Sequence, residues 1–183
     1  MSTTAPWNDD HFIAGDLALD FANTVYRRTP DLGRDLLDST DALAGWLDHA
    51  GLLSSVDLDD STLDEARELR GLLWRILDEQ KDGRALPTEA LAGLFGVARH
   101  HLDGGVAVAA DGSATPLTAK GACSALAIQG IRLALSPHAR PVRTCDRCGW
   151  FFLDTSRGRR RRWCSMQTCG NQAKAARYRS THP

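Results

Sequence analysis

The chain has 183 residues with 22 Lys and Arg, 23 Asp and Glu, and a formal net charge of −1. This length fits one medium domain and one small domain, and charged residues such as Arg75 break the apolar stretches, so no segment is predicted to span a membrane. The polar, acidic opening MSTTAPWNDDHF does not resemble a secretory signal. We therefore expect a cytoplasmic protein whose thiols stay reduced.

The charge is divided unevenly along the chain. The segment from Arg140 to Pro183 holds 11 basic and 2 acidic residues, a net charge of +9, whereas residues 1–139 hold 11 basic and 21 acidic residues, a net charge of −10. Such asymmetry predicts two separate parts, an acidic body over 1–139 and a basic tail over 140–183 that would bind nucleic acid or an acidic protein. The boundary is predicted between Pro137 and Pro141.

The first half of the body has helical periodicity. Apolar residues in DLALDFANTVY predict a helix from Asp16 to Tyr26, which TPDLG, residues 29–33, interrupts. Ser39-Thr40-Asp41 is typical of the cap of a second helix that ends near Gly51. A third helix is predicted to begin with a capping box formed by Thr62 and Glu65 and to stop at Asp82-Gly83.

The second half of the body continues this pattern with one exception. A fourth helix is predicted to begin at Pro87 and to end at Gly104-Gly105. Asp111-Gly112 lies between two short extended runs and predicts a β-hairpin. A long apolar helix is expected from about Thr118 to Ser136. The body is therefore predicted to be mainly α-helical with one small β-hairpin.

The body shows no convincing catalytic motif, and we predict that the protein is not an enzyme. Cys123 lies in the apolar helix and is expected to be a buried core residue. One polar cluster in the first helix is open to two interpretations, structural capping or a small-molecule effector pocket with a few convergent polar groups. Its members are Asp20, Asn23, Thr24 and Arg27.

Four of the five cysteines occur as Cys145-x2-Cys148-x15-Cys164-x4-Cys169. Four thiolates at this spacing can close a tetrahedral Zn²⁺ site, and such a closed site is structural rather than catalytic. A disulfide interpretation is disfavoured in a chain without a secretory signal, and an iron–sulfur cluster is the remaining metal alternative. We predict structural zinc at these four residues.

The tail is predicted to fold as a treble-clef-like zinc finger, in the order knuckle, β-hairpin and helix. Gly149 permits the tight turn behind the Cys145–Cys148 knuckle. Trp150–Leu153 is expected to form one strand and Arg159–Trp163 the returning strand. The helix is predicted to begin at Ser165–Thr168, which places Cys169 near its first turn.

The basic residues of the tail are the predicted nucleic-acid contacts. Some hairpin arginines are expected to pair internally, and Asp154 is an available partner. The helix carries a polar stripe whose amide and cationic side chains suit base edges in a major groove, while the hairpin would contact phosphates. The residues predicted to bind nucleic acid are Arg157, Arg159, Arg160, Arg161, Arg162, Asn171, Lys174 and Arg177.

Two motifs carry a resemblance to a known family. The tract WFFLDTSRGRRRRWCSMQTCGNQAK resembles the CGNR zinc finger, and LALDFANTV, residues 17–25, resembles the L-D-F-x-N-T motif of the ABATE domain usually found before it. The resemblance implies a stress-induced bacterial transcription regulator with zinc ligands at the four cysteines. This chain has Cys169-Gly170-Asn171-Gln172 where the family signature ends in arginine.

The combined prediction is a DNA-binding zinc regulator whose N-terminal domain senses a small-molecule effector or forms a homodimer. Duplex DNA is the expected partner, and no membrane association is expected. The alternatives are a protein-interaction module whose basic finger docks an acidic partner, including the chain's own acidic body, and RNA binding, because counterion release does not distinguish RNA from DNA.

Overall fold

The computed structural model describes residues 7–136 and 141–181. The first element of the described body is a 3₁₀ turn, Asp9–His11, and five helices and one hairpin follow within the described residues. The helices are α1 (Leu17–Ala22), α2 (Thr40–His49), α3 (Asp60–Lys81), α4 (Thr88–His100) and α5 (Gly121–Leu135). Strands β1 (Val106–Val108) and β2 (Ala114–Pro116) pair in antiparallel register around the predicted Asp111-Gly112 turn. The mainly helical body with one small β-hairpin is therefore confirmed.

Helix α3 is the centre of the body, because it contacts α1, α2, α4 and α5. Its apolar stripe, which includes Leu69, Leu73 and Ile76, is buried, and Trp46 of α2 is fully buried in the same core. The side chain of Cys123 is also buried, as expected. At Gly130, where α5 packs on α3, a Cβ would lie 2.6 Å from Leu73 Cδ2, so the Leu73 side chain would have to shift.

Several predicted helix ends are wrong in detail. Helix α3 is capped by Asp59, whose carboxylate accepts a hydrogen bond from the Thr62 backbone N–H at 2.8 Å, so Thr62 lies inside the first turn. Helix α4 ends at His100, short of the predicted glycine pair. Most of the predicted domain boundary, between Pro137 and Pro141, lies outside the described residues.

Helix α1 ends at Ala22, four residues before the predicted end at Tyr26. The chain turns at Asn23, and Val25 then forms an isolated antiparallel bridge with Asp35. The turn is stabilised because buried Arg70 binds both the Thr24 carbonyl, at 2.9 Å, and the Asp35 carboxylate. As a result, residues 23–29 leave the helix and extend beside the C-terminal module.

The C-terminal module contains β3 (Val142–Thr144), β4 (Phe151–Leu153), a π-helical turn (Met166–Gly170) and α6 (Asn171–Thr181). Strands β3 and β4 form an antiparallel hairpin that pairs Arg143 with Phe152. Phe151 and Phe152 are fully buried and belong to the same hydrophobic cluster as the body helices. Within the described ranges, no helix is long and apolar enough to cross a membrane.

Candidate metal centre and basic surface

Cys145 and Cys148 lie on the turn of the β3–β4 hairpin. The turn is closed because the Cys145 N–H donates to the Trp150 carbonyl at 2.8 Å and the Gly149 N–H donates to the Cys145 carbonyl at 2.9 Å. Gly149 has φ +74°, and a Cβ there would lie 2.8 Å from Thr29 Oγ1. The knuckle therefore needs glycine at this position both for the turn and for contact with the body.

Cys164 and Cys169 flank the start of the C-terminal helix. The Ser165 hydroxyl accepts hydrogen bonds from the backbone N–H groups of Gln167 and Thr168, which caps the π-helical turn. This turn places Cys169 opposite Cys164, and both are buried. The expected position of the last cysteine in the first helical turn is confirmed, with π-helical rather than α-helical geometry.

The four sulfur atoms form a cluster that fits zinc. All four lie within 4.8 Å of one another, with Cys148 Sγ 3.6 Å from Cys164 Sγ and Cys164 Sγ 3.7 Å from Cys169 Sγ. Four sulfurs about 2.3 Å from a central ion would be about 3.8 Å apart, and a disulfide would need about 2.05 Å. The cluster therefore has the geometry of a closed tetrathiolate site that holds structural Zn²⁺.

The electrostatics of the cluster also favour a bound cation. Hydrogen bonds from the Cys148 and Cys164 thiols hold the pKa of Cys145 below its usual range. The same interaction with Cys145 raises the pKa of both Cys148 and Cys164, and burial raises that of Cys169. A bound dication would offset half of the charge of four thiolates and so favour their ionisation here.

The segment after β4 does not form the predicted returning strand. Residues 155–164 are a loop, and β4 pairs with β3 before the knuckle. Buried Asp154 organises this loop because its carboxylate accepts hydrogen bonds from Ser156 and from the Arg161 N–H, and pairs with Arg143 Nε at 3.0 Å. The predicted strand over Arg159–Trp163 is therefore wrong.

The loop separates the five predicted arginines into two groups. Arg161 donates to the carbonyls of Trp163 and Cys164 and lies over the Phe152 ring, and Arg162 pairs with Asp146 at 2.6 Å. The other three are exposed, and no ion pair of their side chains is recorded among the described residues. These three are Arg157, Arg159 and Arg160.

Helix α6 projects from the metal centre. None of its residues is buried, and its main contacts are with the preceding π-helical turn. Asn171, Lys174 and Arg177 all lie on this exposed helix. A helix of 11 residues without a buried side chain gains little stability from packing.

The polar cluster of the first helix has mostly internal partners. Asn23 Nδ2 donates to the Phe151 carbonyl at 2.8 Å, and the Phe151 N–H donates to Asn23 Oδ1 at 2.9 Å. Asp20 Oδ1 accepts from the Ala14 N–H, and the Thr24 hydroxyl donates to the Phe21 carbonyl. Arg27 differs, because its Nε donates to the Asp31 carbonyl and its side chain lines a cleft. The effector-binding role of this cluster stays a prediction.

Arg28, which was not predicted from the sequence, joins the body to the metal knuckle. Its backbone N–H donates to the Cys148 carbonyl at 2.6 Å, its guanidinium lies 4.1 Å from the Phe151 ring centroid, and its Nη2 pairs with Asp78 at 2.7 Å. The Trp150 indole N–H reaches back to the Val25 carbonyl at 2.8 Å. The one sequence signal near this residue is the Arg27-Arg28 pair that follows the L-D-F-x-N-T motif.

Comparison with known proteins agrees with this geometry. A family model named ABATE, described as "Putative stress-induced transcription regulator", matches residues 15–141, well over half of the chain. The chain belongs to the ABATE family. A second model, the CGNR zinc finger, matches residues 142–182 and includes all four cysteines. A search of curated proteins found no match to the chain.

The ABATE protein departs from the CGNR signature at Gln172, and the structure gives a physical reason. Gln172 Oε1 accepts a hydrogen bond from Arg147 Nε at 2.8 Å. An arginine at position 172 would face the Arg147 guanidinium with a like charge, which costs free energy unless an anion lies between them. Gln172 therefore avoids the repulsion that an arginine at position 172 would have with Arg147.

Buried Asp20 gives the ABATE domain a pH-dependent stability. Burial raises the pKa of Asp20 to about 7. The hydrogen bond from the Ala14 N–H lowers this pKa, and the negative charge of Asp16 raises it further. Since aspartate in an unfolded chain titrates near 3.9, the native state retains a proton between about pH 4 and 7 that the unfolded state releases. The free energy of unfolding therefore falls as the pH rises through this window. Above pH 7 Asp20 is ionised in both states, and the whole cost of burying its charge applies.

Replacing Asp20 by asparagine keeps the Oδ1 acceptor and removes the charge. Asp20→Asn is expected to raise the free energy of unfolding at pH 8, by up to about 4 kcal/mol, and by less at pH 5.5. Urea unfolding of the zinc-saturated protein at both pH values measures this difference. Exposed Asp103→Asn is the control for loss of one negative charge. An equal gain at both pH values would contradict the assignment.

Proposed function

We propose that this ABATE protein is a zinc-dependent transcription regulator that binds duplex DNA through its C-terminal module. In this proposal the helical domain senses a small molecule or forms a homodimer, and the zinc has a structural role. The observation that carries the proposal is helix α6, which has no buried residue and is fixed at its start by the four-cysteine cluster. An α-helix of this kind fits the major groove of B-DNA.

The proposed contacts divide between the helix and the loop. Asn171, Lys174 and Arg177 would face base edges, since amide groups pair with adenine and cationic groups with guanine. The exposed loop arginines 157, 159 and 160 would bind phosphates and fix the register. Arg161 and Arg162 would support the loop through their internal bonds, with the remaining exposed edge of Arg162 available to the backbone.

Surface charge supports an anionic partner outside the chain. The three exposed loop arginines and Lys174 have no recorded ion pair with the acidic body within the described ranges. The finger is joined to the body through Phe151, Trp150 and the knuckle backbone instead. The exposure of these four cationic side chains supports an anionic partner outside the chain.

Selection of zinc-loaded full-length protein against a random pool of duplex DNA at near-physiological salt tests the proposal. Enrichment of one sequence motif that a chelator abolishes is the expected result, and a palindromic motif would also give the half-site spacing of a dimer. Without enrichment, parallel binding assays with single-stranded RNA and with an acidic peptide would identify the alternatives. Binding of either one without DNA binding would overturn the proposal.

The salt dependence of DNA binding tests the loop arginines. In the triple variant Arg157→Gln, Arg159→Gln and Arg160→Gln, affinity should fall and the slope of log affinity against log salt should decrease by about 2.7, at about 0.9 per phosphate contact. Arg75→Gln is the matched control, because Arg75 is an exposed body arginine paired with Glu89. An unchanged slope in the triple variant would exclude these phosphate contacts.

A further inference from the structure

A cleft separates the first segment of the body from the zinc finger. It has a volume of about 360 Å³ and opens to solvent on one side. Residues of the body form one wall and residues of the finger form the other. The side chains that matter for its chemistry are His11, Tyr26, Arg27, Arg147, Trp150 and Gln172.

Two guanidinium groups from different domains line this cleft. Arg27 is held by one bond from its Nε to the Asp31 carbonyl at 3.2 Å, and Arg147 by one bond from its Nε to Gln172 Oε1 at 2.8 Å. No carboxylate partner of either group is recorded among the described residues. The terminal N–H groups of both arginines are therefore available for an anion, which charge-assisted hydrogen bonds would hold strongly.

The amide of Gln172 adds a third donor. Because its oxygen is occupied by Arg147, its NH₂ group remains to donate. Asp10 is the one acidic residue of the described lining. Burial lowers the pKa of His11, which keeps its ring neutral near pH 7. Outside the metal centre the lining therefore has two cationic groups and one anionic group, and the zinc tetrathiolate beside them carries a net charge of −2.

The remaining walls are apolar and aromatic. Ile13 and Pro30 lie on the body side together with the Tyr26 ring, and Trp150 lies on the finger side. The Trp150 ring is fixed by its hydrogen bond to the Val25 carbonyl, and His11 lies 6.2 Å from it between ring centroids. A small number of polar groups set in apolar walls is the usual composition of a ligand site.

We propose that this cleft binds a small molecule that carries an anionic group and a flat apolar part. The anion is held between Arg27 and Arg147, and the apolar part packs between Tyr26 and Trp150. The ligand contacts the body and the finger at once, so it stabilises their docked arrangement. It also covers the edge of the metal centre, because Cys148, Cys164 and Cys169 line the same cleft.

Binding itself is independent of the proposed function, whereas an effect on DNA binding rests on it. The test uses zinc-loaded full-length protein without DNA. 2-Naphthoate serves as the probe, the neutral 2-naphthylmethanol as its uncharged analogue and inorganic phosphate as the anion without an apolar part. Isothermal titration calorimetry measures affinity, and zinc release to excess chelator measures coverage of the metal centre.

The expected result is that naphthoate binds at least about tenfold more tightly than either analogue and slows zinc release. Arg27→Gln and Arg147→Gln are each expected to weaken naphthoate binding about tenfold, the loss typical of one charged hydrogen bond. Arg34→Gln, an exposed arginine outside the cleft, should leave it unchanged. Absence of naphthoate binding at millimolar concentration, equal affinity for the neutral analogue, or binding that both cleft variants retain would overturn the proposal.

Discussion

Replacing Cys145 by serine is expected to release the zinc and to unfold the C-terminal module. Cys145 is buried, and its sulfur belongs to a cluster in which all four sulfurs lie within 4.8 Å of one another. A serine hydroxyl does not supply the thiolate that the ion needs, and structural zinc binding contributes on the order of 10 kcal/mol to folding of small zinc modules. Zinc content should fall from one ion per chain to well below one, and the DNA binding proposed above should be lost.

The damage is expected to extend into the helical body. Phe151 and Phe152 of the zinc module lie in the same hydrophobic cluster as the body helices, so their exposure would remove apolar contacts from both sides. Thermal unfolding and zinc analysis of the same sample measure the two effects together. Cys123→Ala is the matched control, because Cys123 is equally buried but lies in α5 and should retain the metal. Stoichiometric zinc in Cys145→Ser would refute the assigned ligand set.

Replacing Asn23 by alanine is expected to detach the finger from the body while zinc is retained. The Asn23 amide makes two buried hydrogen bonds to the backbone of Phe151, one in each direction. Alanine would leave a buried N–H and a buried carbonyl without partners, at a cost of about 1–3 kcal/mol for each group. The free energy of unfolding should fall by about 2–6 kcal/mol in total, and amide hydrogen exchange in β4 should accelerate.

Two variants separate this docking role from a general effect of losing an amide. Asn171→Ala removes an exposed asparagine that bonds only to the Gln167 carbonyl, and it should leave stability nearly unchanged. Asn23→Asp keeps the acceptor for the Phe151 N–H but places a second oxygen against the Phe151 carbonyl, so it should not restore stability. Normal exchange rates in β4 of Asn23→Ala would show that the finger is held by other contacts.

These expectations give the L-D-F-x-N-T motif a structural meaning. Its asparagine bonds to β4, its phenylalanine lies in the core beside Trp46, and its threonine hydroxyl caps the last turn of α1 and accepts a bond from Arg70. The segment after the motif contacts the knuckle through Arg28 and Thr29. The motif therefore acts as the docking segment for the zinc module, and the zinc module completes the core of the body.

Helix periodicity and the cysteine spacing could be interpreted without a structure. The stripe of α3 follows from a 3.6-residue repeat, and the turn at Asp111-Gly112 follows from local backbone preference. The zinc site was predictable because all four ligands and their spacing lie within one short segment, residues 145–169. Capping was less predictable, since Asp59 and Thr62 both suit the start of α3 and only the observed backbone selects Asp59.

The prediction of a returning strand in the finger was wrong for a related reason. Residues 159–163 have no competing local signal, but buried Asp154 takes up the Ser156 and Arg161 N–H groups and pairs with Arg143, which fixes a loop instead. A buried carboxylate needs several hydrogen-bond donors, and these donors can come from residues that are not adjacent to it in the sequence. The need for these donors depends on the burial of Asp154, which cannot be read from the sequence.

The sequence alone determined the helical body, the small hairpin, the metal and its four ligands, and the concentration of positive charge near the C-terminus. Each of these depends on residue types and spacings within about 30 residues or fewer, where local geometry is sufficient. The tertiary structure decided which arginines are exposed, that Asn23 binds Phe151, and that Arg27 and Arg147 face one cleft. These pairs are more than 100 residues apart in the chain, and only the packing of the finger on the body brings them together.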